Sequence, residues 1–501
     1  MDFLYSSSEP AKAKADGLIL PVYSDFEKDP LVKAMDEALS GALSYRIKRA
    51  EYKGKKDSTL LVQGGEKSPY PAVLLYGMGE RKAPESEGLW DFMHKAVNAL
   101  RAPGARHLAL ALNLEAGLDA EFALAKLAQG ALSGAYRFDR YKKEAAEQNK
   151  KSAPEKLSFF GMGAYTLKPD KAKAALARGK AVGEAVNFAR DLVNEPAEAM
   201  TPAIFADTAK NAVKNLPNLT CKVEGPNEIT KRKMGLFMAV ARGSKNPPRL
   251  ITLTYNPPKA KGKPIALVGK GLMFDSGGYS LKPSASMETM KCDMSGAAAV
   301  LATLIALAKL GIQKKVIGIV AACENMIGGG AYRVGDIYAA MNGKTVEVMN
   351  TDAEGRLTLA DALVYAQTFK PELVVDLATL TGACVVALGE ETVGVFCNGE
   401  GVSERIGSAF DRAGEDYWEL PLNPRLKDLL KSPIADMQNV GGRFGGAITA
   451  ALFLREFIPE LPWSHFDIAG PAFHGKETGH LPKGGSGVGV TTLIELVDPT
   501  L

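Results

Sequence analysis

The stretch NTDAEGRL, which runs from Asn350 to Leu357, joins an alternating apolar run at 345–349 to a run with helical periodicity at 357–369. Alternation with a period of two predicts a strand, and a period near 3.6 predicts a helix. The stretch is therefore a strand-to-helix turn, and it carries two carboxylates and one guanidinium. Because open α/β sheets bind their ligands near the carboxyl ends of strands, we expect an α/β fold with a functional site at this turn.

Further charged residues stand upstream, in GKGLMFDSGGYSLKP and in KCDMSG. An isolated acidic turn is typically a helix cap or a dipole partner at the surface. Here each carboxylate lies in apolar, glycine-rich sequence, where an unpaired buried charge costs several kcal/mol unless a cation meets it. Four carboxylates, two lysines and one arginine are typical of a two-metal hydrolytic site. The candidates are Lys270, Asp275, Lys282, Asp293, Asp352, Glu354 and Arg356.

At 501 residues the chain is long enough for two domains, which we place at 1–165 and 166–501. The first alternates apolar strands with helices, and we expect strands at 18–24, 59–63, 72–79 and 107–114 and a helix at 120–136. The charged segment 142–156, with Pro154, is predicted to be a linker or surface excursion. A helical run at 171–193 is predicted to join the domains. Each domain is expected to be a mixed or mostly parallel sheet flanked by helices.

The second domain begins with a predicted helix at 203–216 and the strands LITLTY and PIALVG, the latter leading directly into Lys270 and Asp275. Ser295 is predicted to open an apolar helix at 297–310, with Gly311 as its C-cap. That helix is too short to cross a bilayer and is expected to be buried. Strand VIGIVAAC precedes a glycine-rich loop, and strands ELVVDLAT and VGVFC flank the turn LTGA.

Composition limits the function. A hydrophobic content of 46%, a charged content of 24% and a net charge of +4 indicate a globular protein with no overall reason to bind nucleic acid. Five scattered cysteines show neither zinc-ribbon nor redox spacing, which predicts reduced thiols. The first residues lack the features of a signal peptide. We therefore expect a cytoplasmic protein that does not enter a membrane.

Other catalytic motifs do not match. NGKT at 342–345 lacks the first glycine of a P-loop, and GKGLMFDSGG is not a dinucleotide fingerprint. Ser276 and Ser280 could form a serine-hydrolase site only through the distant His465 or His474. His94 and His107 stand isolated in the first domain, and we assign them no chemical role.

The motifs NTDAEGRL, GKGLMFDSGGYSLKP, KCDMSGAAAV, ENMIGGGAYRVGD and HFDIAG resemble those of the leucyl aminopeptidase (cytosol aminopeptidase) family of di-metal exopeptidases. The resemblance is specific from about residue 190 to the C-terminus and looser at YRFDRYK, 136–142. The loop 327–330 departs from it, because a more polar sequence is expected there. This departure affects the shape of the loop and none of the seven candidate residues.

The resemblance implies one metal held by Lys270, Asp275, Asp293 and Glu354, and a second held by Asp275, Asp352 and Glu354. It implies Mn²⁺ or Zn²⁺ at these sites, a metal-bridged hydroxide as nucleophile, and Lys282 and Arg356 as catalytic residues. Lys282 would stabilise the oxyanion. Arg356 has too high a pKa to act as a base and would hold a bicarbonate ion instead. The alternative, in which Arg356 only pairs with Asp352 or Glu354, stays open.

The expected function is therefore that of a metallo-aminopeptidase, which releases leucine-like residues from peptides with a free N-terminus. The resemblance further implies a homohexamer and a side-chain pocket near LTGA, with Met290, Thr379, Leu380 and Gly382 as candidate walls. Two alternatives stay open. Oxygen-ligand metal pairs also serve phosphoesterases, and some members of this family have a second role as DNA-binding regulators.

Overall fold

The structure is a computed structural model that describes residues 1–64, 68–101, 104–476 and 483–499, without the side chains of 86 and 87. The chain forms two compact units, 1–184 and a second that begins at Ala185. The division falls inside a 26-residue helix, Pro169–Asn194, which confirms the long helix expected between the two α/β units. The domain boundary at 165/166 stays a prediction.

The N-terminal unit contains, among the described residues, one six-stranded sheet in the order β1-β6-β5-β2-β4-β3. Only β3 runs antiparallel to its neighbour. Its elements in chain order are β1 (Asp2–Ser6), β2 (Gly17–Tyr23), α1 (Pro30–Ala38), α2 (Ala42–Ala50), β3 (Thr59–Gln63), β4 (Ala72–Gly79), α3 (Ser86–Arg101), β5 (His107–Ala111), α4 (Ala120–Ala135), α5 (Lys143–Ser152), β6 (Lys156–Phe160) and the start of α6 (Pro169–Asn194).

The predicted strands and the helix at 120–136 of this unit are confirmed, and the segment 142–156, predicted to be a linker or surface excursion, lies at the surface but is largely helical. Most of 142–156 is α5, a surface helix with no buried residue. Its alanine, glutamate, glutamine and lysine residues favour a helix. Glu144 in the first turn and Lys150 and Lys151 in the last also complement the helix dipole. A segment without an apolar face gives no periodic signal, which explains why the pattern did not reveal the helix.

Both histidines of this unit have structural partners. His94 Nδ1 lies 3.0 Å from the Ser133 hydroxyl oxygen, and His107 Nε2 lies 2.9 Å from the Ser158 hydroxyl oxygen. These contacts agree with the absence of an assigned chemical role.

The C-terminal unit holds an eight-stranded sheet, counted over the described ranges, in the order β15-β14-β17-β13-β9-β10-β8-β7. After the end of α6 its elements are α7 (Pro202–Val213), β7 (Leu219–Glu224), α8 (Pro226–Lys231), α9 (Gly235–Ala241), β8 (Arg249–Tyr255), β9 (Ile265–Asp275), α10 (Ser284–Met287), α11 (Ser295–Leu310), β10 (Val316–Asn325), β11 (Ile337–Ala339), β12 (Thr345–Glu347), α12 (Gly355–Gln367), β13 (Leu373–Ala378), α13 (Gly382–Leu388), β14 (Val393–Asn398), α14 (Val402–Ala413), β15 (Tyr417–Glu419), β16 (Met437–Gln438), α15 (Gly446–Arg455), β17 (Trp463–Asp467), β18 (Phe473–His474), β19 (Gly484–Gly485) and α16 (Val490–Val497).

The four central strands of this sheet, β17, β13, β9 and β10, run parallel to one another, whereas β7, β8 and β14 pair antiparallel. Every residue of β10 is buried, as expected for a strand covered on both faces. The mostly parallel α/β fold is therefore confirmed. Because β9 and β10 are adjacent and parallel, Asp275 and Asn325 end side by side.

Two strands near the site were predicted correctly, but their ends were misplaced. Strand β9 does not stop before Lys270 but continues through it to Asp275, because Lys270 is buried with ionic partners and does not end the strand at a surface. The strand before NTDAEGRL is only Thr345–Glu347, and it lies in a small side sheet between β11 and β16. Beyond it, the Met349 amide donates to the Asn439 side chain instead of to a neighbouring strand.

The apolar helix α11 starts at Ser295 and ends at Leu310, and Gly311 has φ +66°, which confirms the C-cap. The helical stretch 284–310 is long and apolar enough to cross a membrane by composition, but 89% of its most apolar window is buried inside the protein. It is therefore a core helix. Its first turn packs closely on the sheet, because a Cβ atom on Gly296 would lie 2.1 Å from the Leu377 carbonyl oxygen.

This close approach generates a prediction about stability. Gly296→Ala forces the helix away from the sheet, and overpacking of this kind costs about 1–3 kcal/mol. We expect a lower urea midpoint for the C-terminal unit. The matched control is Gly329→Ala, since a Cβ atom there meets nothing within 4 Å. Equal midpoints for Gly296→Ala and the unsubstituted chain would contradict the packing argument.

Candidate metal centre

Lys270 is the centre of one half of the site. Its ammonium nitrogen lies 2.8 Å from Asp293 Oδ1 and 2.9 Å from Glu354 Oε1, and it donates to the Thr379 carbonyl oxygen at 2.8 Å. Asp293 comes from the 3₁₀ helix Met290–Met294, and Glu354 is the N-cap of α12. Lys270, Asp293 and Glu354 are each at most 3% exposed, so this ion-pair group is shielded from water.

Asp275 and Asp352 form the other half with Lys282. The Lys282 ammonium lies 2.9 Å from Asp275 Oδ2 and 2.6 Å from Asp352 Oδ1. The second oxygen of Asp275 accepts hydrogen bonds from the Gly277 amide and the Asn325 side chain, both at 2.8 Å. Both carboxylate oxygens of Asp275 therefore have partners, whereas Asp352 lies on the more open turn.

The carboxylates leave coordination capacity unused. Asp293 Oδ2 and Glu354 Oε2 are buried and have no hydrogen-bond partner among the described residues. Oxygen atoms of Asp275, Asp293 and Glu354 lie within 4.8 Å of one another. A buried polar atom without a partner costs free energy, and carboxylate oxygens are suitable ligands for divalent ions. The residues therefore fit a metal centre.

The balance of charge leads to the same conclusion. When all four carboxylates of this group are ionised, they face only two ammonium groups, which leaves two negative charges uncompensated. Burial raises the pKa of Asp293 to about 8, with the Lys270 ammonium lowering it and the Glu354 carboxylate raising it. Burial also raises the pKa of Glu354, and Asp275 adds to that effect. Bound cations would remove the repulsion that causes these shifts.

Against the effect of burial, the neighbouring carboxylates raise the pKa values of the two lysines as well. Burial lowers the pKa of Lys270, but the Asp293 and Glu354 carboxylates more than reverse this effect, so its pKa lies above the ordinary value. The pKa of Lys282 is likewise raised, because Asp275 and Glu354 outweigh its burial. Both side chains are thus ammonium groups at neutral pH unless a metal displaces a proton.

A glycine makes room for this arrangement. A Cβ atom on Gly355 would lie 2.3 Å from Lys270 Cε and 2.7 Å from its ammonium nitrogen. Any side chain there would push Lys270 off the carboxylates. Gly355 is therefore required because Lys270, on strand β9, occupies the space that a side chain at 355 would fill. The motif alone does not reveal this relation.

Arg356, in the first turn of α12, lies apart from the ion pairs. Its Nη1 donates to the Asn439 carbonyl oxygen at 2.9 Å, and its Nε has no hydrogen-bond partner in the part of the chain that the structure describes. Within that same part, Arg356 makes no ion pair with Asp352 or Glu354. Burial lowers the pKa of Arg356 to about 10, although Glu354 raises it. The guanidinium therefore remains charged at neutral pH and is 8% exposed.

The candidate pocket residues differ in how directly they contact the candidate metal ligands. The Thr379 hydroxyl donates to Asp293 Oδ1 at 2.7 Å, so this residue contacts the metal centre directly. Met290 opens the 3₁₀ helix that carries Asp293, and Gly382 begins α13. The Leu380 amide donates to Asp467 at 3.1 Å.

Several supporting residues escaped the sequence analysis. Asn325 donates to Asp275 and to the Thr351 carbonyl oxygen, at 2.8 and 2.9 Å. Asn439 binds the backbone of the NTDAEGRL turn from a distant segment. Neither belongs to a charged cluster. Asn325 follows the apolar run 316–323 only after Glu324, and Asn439 follows Gln438 and no apolar run, so local pattern did not single out either residue.

Ser276 and Ser280 do not form a serine-hydrolase site. The Ser276 hydroxyl donates to the Asn325 carbonyl oxygen, and Ser280 accepts from the Thr351 amide. His465 instead contacts Asp376 at 2.6 Å in the sheet interior. The cysteines, all within the described ranges, are free thiols as predicted.

Two domain models of one protein family match the chain. The model of the cytosol aminopeptidase family catalytic domain matches residues 187–494, and that of the N-terminal domain matches residues 19–145. A probable cytosol aminopeptidase of Syntrophotalea carbinolica is 42% identical over 489 residues, which cover 97% of each chain. One of Roseiflexus castenholzii is 39% identical, covering 98% of this chain and 97% of the relative.

Solved structures agree over nearly the whole chain. A mutant of tomato leucine aminopeptidase is 35% identical with a TM-score of 0.89, and the match covers 99% of this chain and 96% of that one. The bottromycin maturation enzyme BotP in complex with Mn is 35% identical with a TM-score of 0.84, covering 97% of this chain and 99% of that one.

The protonation of Lys270 and Asp293 generates a prediction about metal binding. Both must lose a proton to act as ligands, so we expect Mn²⁺ affinity, measured by calorimetry on metal-stripped protein, to rise as pH is raised from about 6 to 8. Lys270→Arg should lose this site as fully as Lys270→Ala, because a guanidinium offers no lone pair. A metal-replete arginine variant would show that Lys270 is not a ligand.

Proposed function

The chain belongs to the cytosol aminopeptidase family, and we propose that it releases N-terminal residues, preferentially leucine-like ones, from peptides at a two-metal centre around Asp275 and Glu354. Members of this family are metallo-aminopeptidases, so exopeptidase hydrolysis of peptides is the activity of this chain. The observation that supports the proposed site best is the buried group of Asp275, Asp293 and Glu354, with carboxylate oxygens that have no partner among the described residues.

We assign the ligands as the family resemblance suggests. Lys270, Asp275, Asp293 and Glu354 hold one ion, and Asp275, Asp352 and Glu354 hold the other. The ion pairs of the structure support this division, because Lys270 groups with Asp293 and Glu354, whereas Lys282 groups with Asp275 and Asp352. The carboxylates that pair with these ammonium groups are the ones that would bind the cations.

Two divalent ions held by these residues would supply Lewis acidity and would lower the pKa of a bound water to about 7. Lys282 then has a separate task. Its side chain is 15% exposed, in contrast to 3% for Lys270, so it faces the open side of the site. Released from Asp275 and Asp352, its ammonium can donate to the carbonyl oxygen on which negative charge develops. One such donor typically contributes about 3–4 kcal/mol to the transition state.

Arg356 is proposed to hold a bicarbonate ion that accepts and returns a proton. Three features support this role. Its guanidinium is charged and free of carboxylate partners in the described ranges, its Nε lacks a hydrogen bond, and it lies in the first turn of the 13-residue helix α12. Backbone amides at the start of a helix favour anions, and the planar fork of a guanidinium matches a planar oxyanion.

The preference for leucine-like side chains rests on the pocket candidates. Met290, Thr379 and Leu380 are half-buried and Gly382 is exposed, so they offer partly open surface, and Thr379 contacts Asp293 directly. We propose them as walls of the side-chain pocket. A panel of aminoacyl amides distinguishes this preference from a broad one.

The metals are proposed to be Mn²⁺ or Zn²⁺, the first supported by the similar structure solved with Mn. We also propose a cytoplasmic homohexamer. Large apolar side chains on the C-terminal unit support an assembly, since Val386, Phe444 and Trp418 are 90%, 83% and 65% exposed. The relatives are named cytosol aminopeptidases and the cysteines are free thiols, and both observations support the cytoplasmic location.

The exopeptidase assignment predicts a requirement for a free α-amine. That amine is expected to bind at the metal centre and set the register of cleavage, so leucine amide should be hydrolysed in the presence of Mn²⁺ or Zn²⁺ and N-acetyl-leucine amide should not. Release of ammonia from the two compounds measures the difference. Comparable rates would indicate another class of hydrolase.

The bicarbonate role predicts a specific defect for Arg356→Ala. The variant should keep both metals but lose kcat by about 10²–10⁴, the usual contribution of positioned acid–base catalysis. Bicarbonate added to carbonate-depleted buffer should activate the unsubstituted chain far more than the variant. Arg333→Ala, at an exposed arginine paired with Asp336, is the matched control. Loss of metal in Arg356→Ala, or equal activation of both proteins, would argue against this role.

A further inference from the structure

The loop 379–381, which joins β13 to α13, contacts two of the proposed metal ligands through one residue. The Thr379 hydroxyl donates to Asp293 Oδ1 at 2.7 Å, and the Thr379 carbonyl oxygen accepts from Lys270 at 2.8 Å. A shift of this residue would therefore disturb Asp293 and Lys270 together. Both belong to the ligand set of the same proposed ion.

Asp467 holds this loop in place. It is the last residue of β17 and is fully buried. Its Oδ1 accepts from the amides of Leu380 and Thr381, at 3.1 and 3.4 Å, and its Oδ2 accepts from the Thr381 hydroxyl at 2.6 Å. Oδ1 also accepts from the Ala469 amide at 3.2 Å. The backbone of the loop is thus fixed by one carboxylate.

The chemistry of Asp467 is costly for a purely structural residue. It makes no ion pair with a lysine, arginine or histidine in the described ranges, and all the hydrogen-bond donors to its side chain there are neutral. The Arg356 guanidinium interacts electrostatically with Asp467 from beyond ion-pair distance, so the buried carboxylate depends on its hydrogen bonds for direct compensation. Three of these four donors lie in the loop 379–381. The Asp467 carboxylate therefore determines the position of that loop.

The register of the sheet explains the contact. Strands β13 and β17 are parallel neighbours, with Ala378 opposite Asp467. The side chain at the end of β17 therefore reaches the residues that directly follow β13. Thr381 also caps α13, because its hydroxyl accepts from the Cys384 amide at 3.0 Å. Asp467, Thr381 and Thr379 form a continuous series of hydrogen bonds and backbone that leads to Asp293.

We propose that Asp467 is a positioning residue for the metal ion bound by Lys270, Asp293 and Glu354, and that it acts through Thr379. The inference rests on the proposed two-metal centre. It makes the effect of Asp467 selective, because Asp352, on the turn before α12, has no hydrogen bond to this loop in the described structure. Residues that orient metal ligands typically change metal affinity or activity by about 10–100-fold.

The test is a calorimetric Mn²⁺ titration of the full-length, metal-stripped chain and of Asp467→Asn. The unsubstituted chain is expected to bind two ions. In Asp467→Asn one of the two affinities should fall by about 10–100-fold, while the other is retained. Added Mn²⁺ should restore the rate of leucine amide hydrolysis, so that the apparent metal requirement changes more than KM for the substrate.

Asp376→Asn is the matched control. Asp376 is also fully buried, lies on the neighbouring strand β13 and bonds the Trp463 and His465 side chains, at 2.7 and 2.6 Å. Its replacement is expected to lower stability and leave both Mn²⁺ affinities unchanged. A second variant, Thr379→Val, removes the hydroxyl that reaches Asp293, and it keeps the test decisive if Asp467→Asn fails to fold.

The outcomes separate two claims. If Asp467→Asn and Thr379→Val weaken the same ion, and the double variant weakens it little beyond the larger single effect, the two residues act in one series. Unchanged affinities, equal weakening of both ions, or the same loss in Asp376→Asn would overturn the inference about Asp467. Failure of the unsubstituted chain to bind two ions would instead overturn the proposed metal centre.

Discussion

The ion pairs of Lys270 with Asp293 and Glu354 are the interaction on which the rest of the site depends. Four carboxylates are brought into one largely buried volume, and their mutual repulsion would oppose folding without compensation. Lys270 and Lys282 provide half of the opposing charge from within the chain. In the proposed metal centre, bound cations would compensate the negative charge that remains when all four carboxylates are ionised.

The lysine at the centre of the site imposes constraints on the backbone around it. Lys270 is placed in the middle of β9 and not in a loop, so its long side chain must run between the sheet and the first turn of α12. Gly355 leaves the space for that side chain, and Gly296 lets α11 approach the same strand. The rigidity of these contacts holds the ligands in place, since packed elements do not shift without cost.

Much of the chemistry could be predicted from the sequence, because charged residues in apolar surroundings require partners. The seven charged candidates stand out for that reason, and the mostly parallel α/β fold follows from the order of strands and helices. The supporting residues could not be found in this way. Asn325, Asn439 and Asp467 act because of which strands are neighbours, and strand order is not contained in local periodicity. The end of β9 was misplaced because polar residues usually end strands, whereas Lys270 is buried among its partners.

The internal lysine pairs have a consequence for how the protein is made. Small zinc-dependent domains fold only when their metal arrives, because nothing else neutralises their ligands. In this chain the ammonium groups of Lys270 and Lys282 already pair with the four carboxylates, so the ligand set of the proposed metal centre would be held together before any cation binds. The supply of divalent ions would then act on protein that is already folded and would set what fraction of it is active.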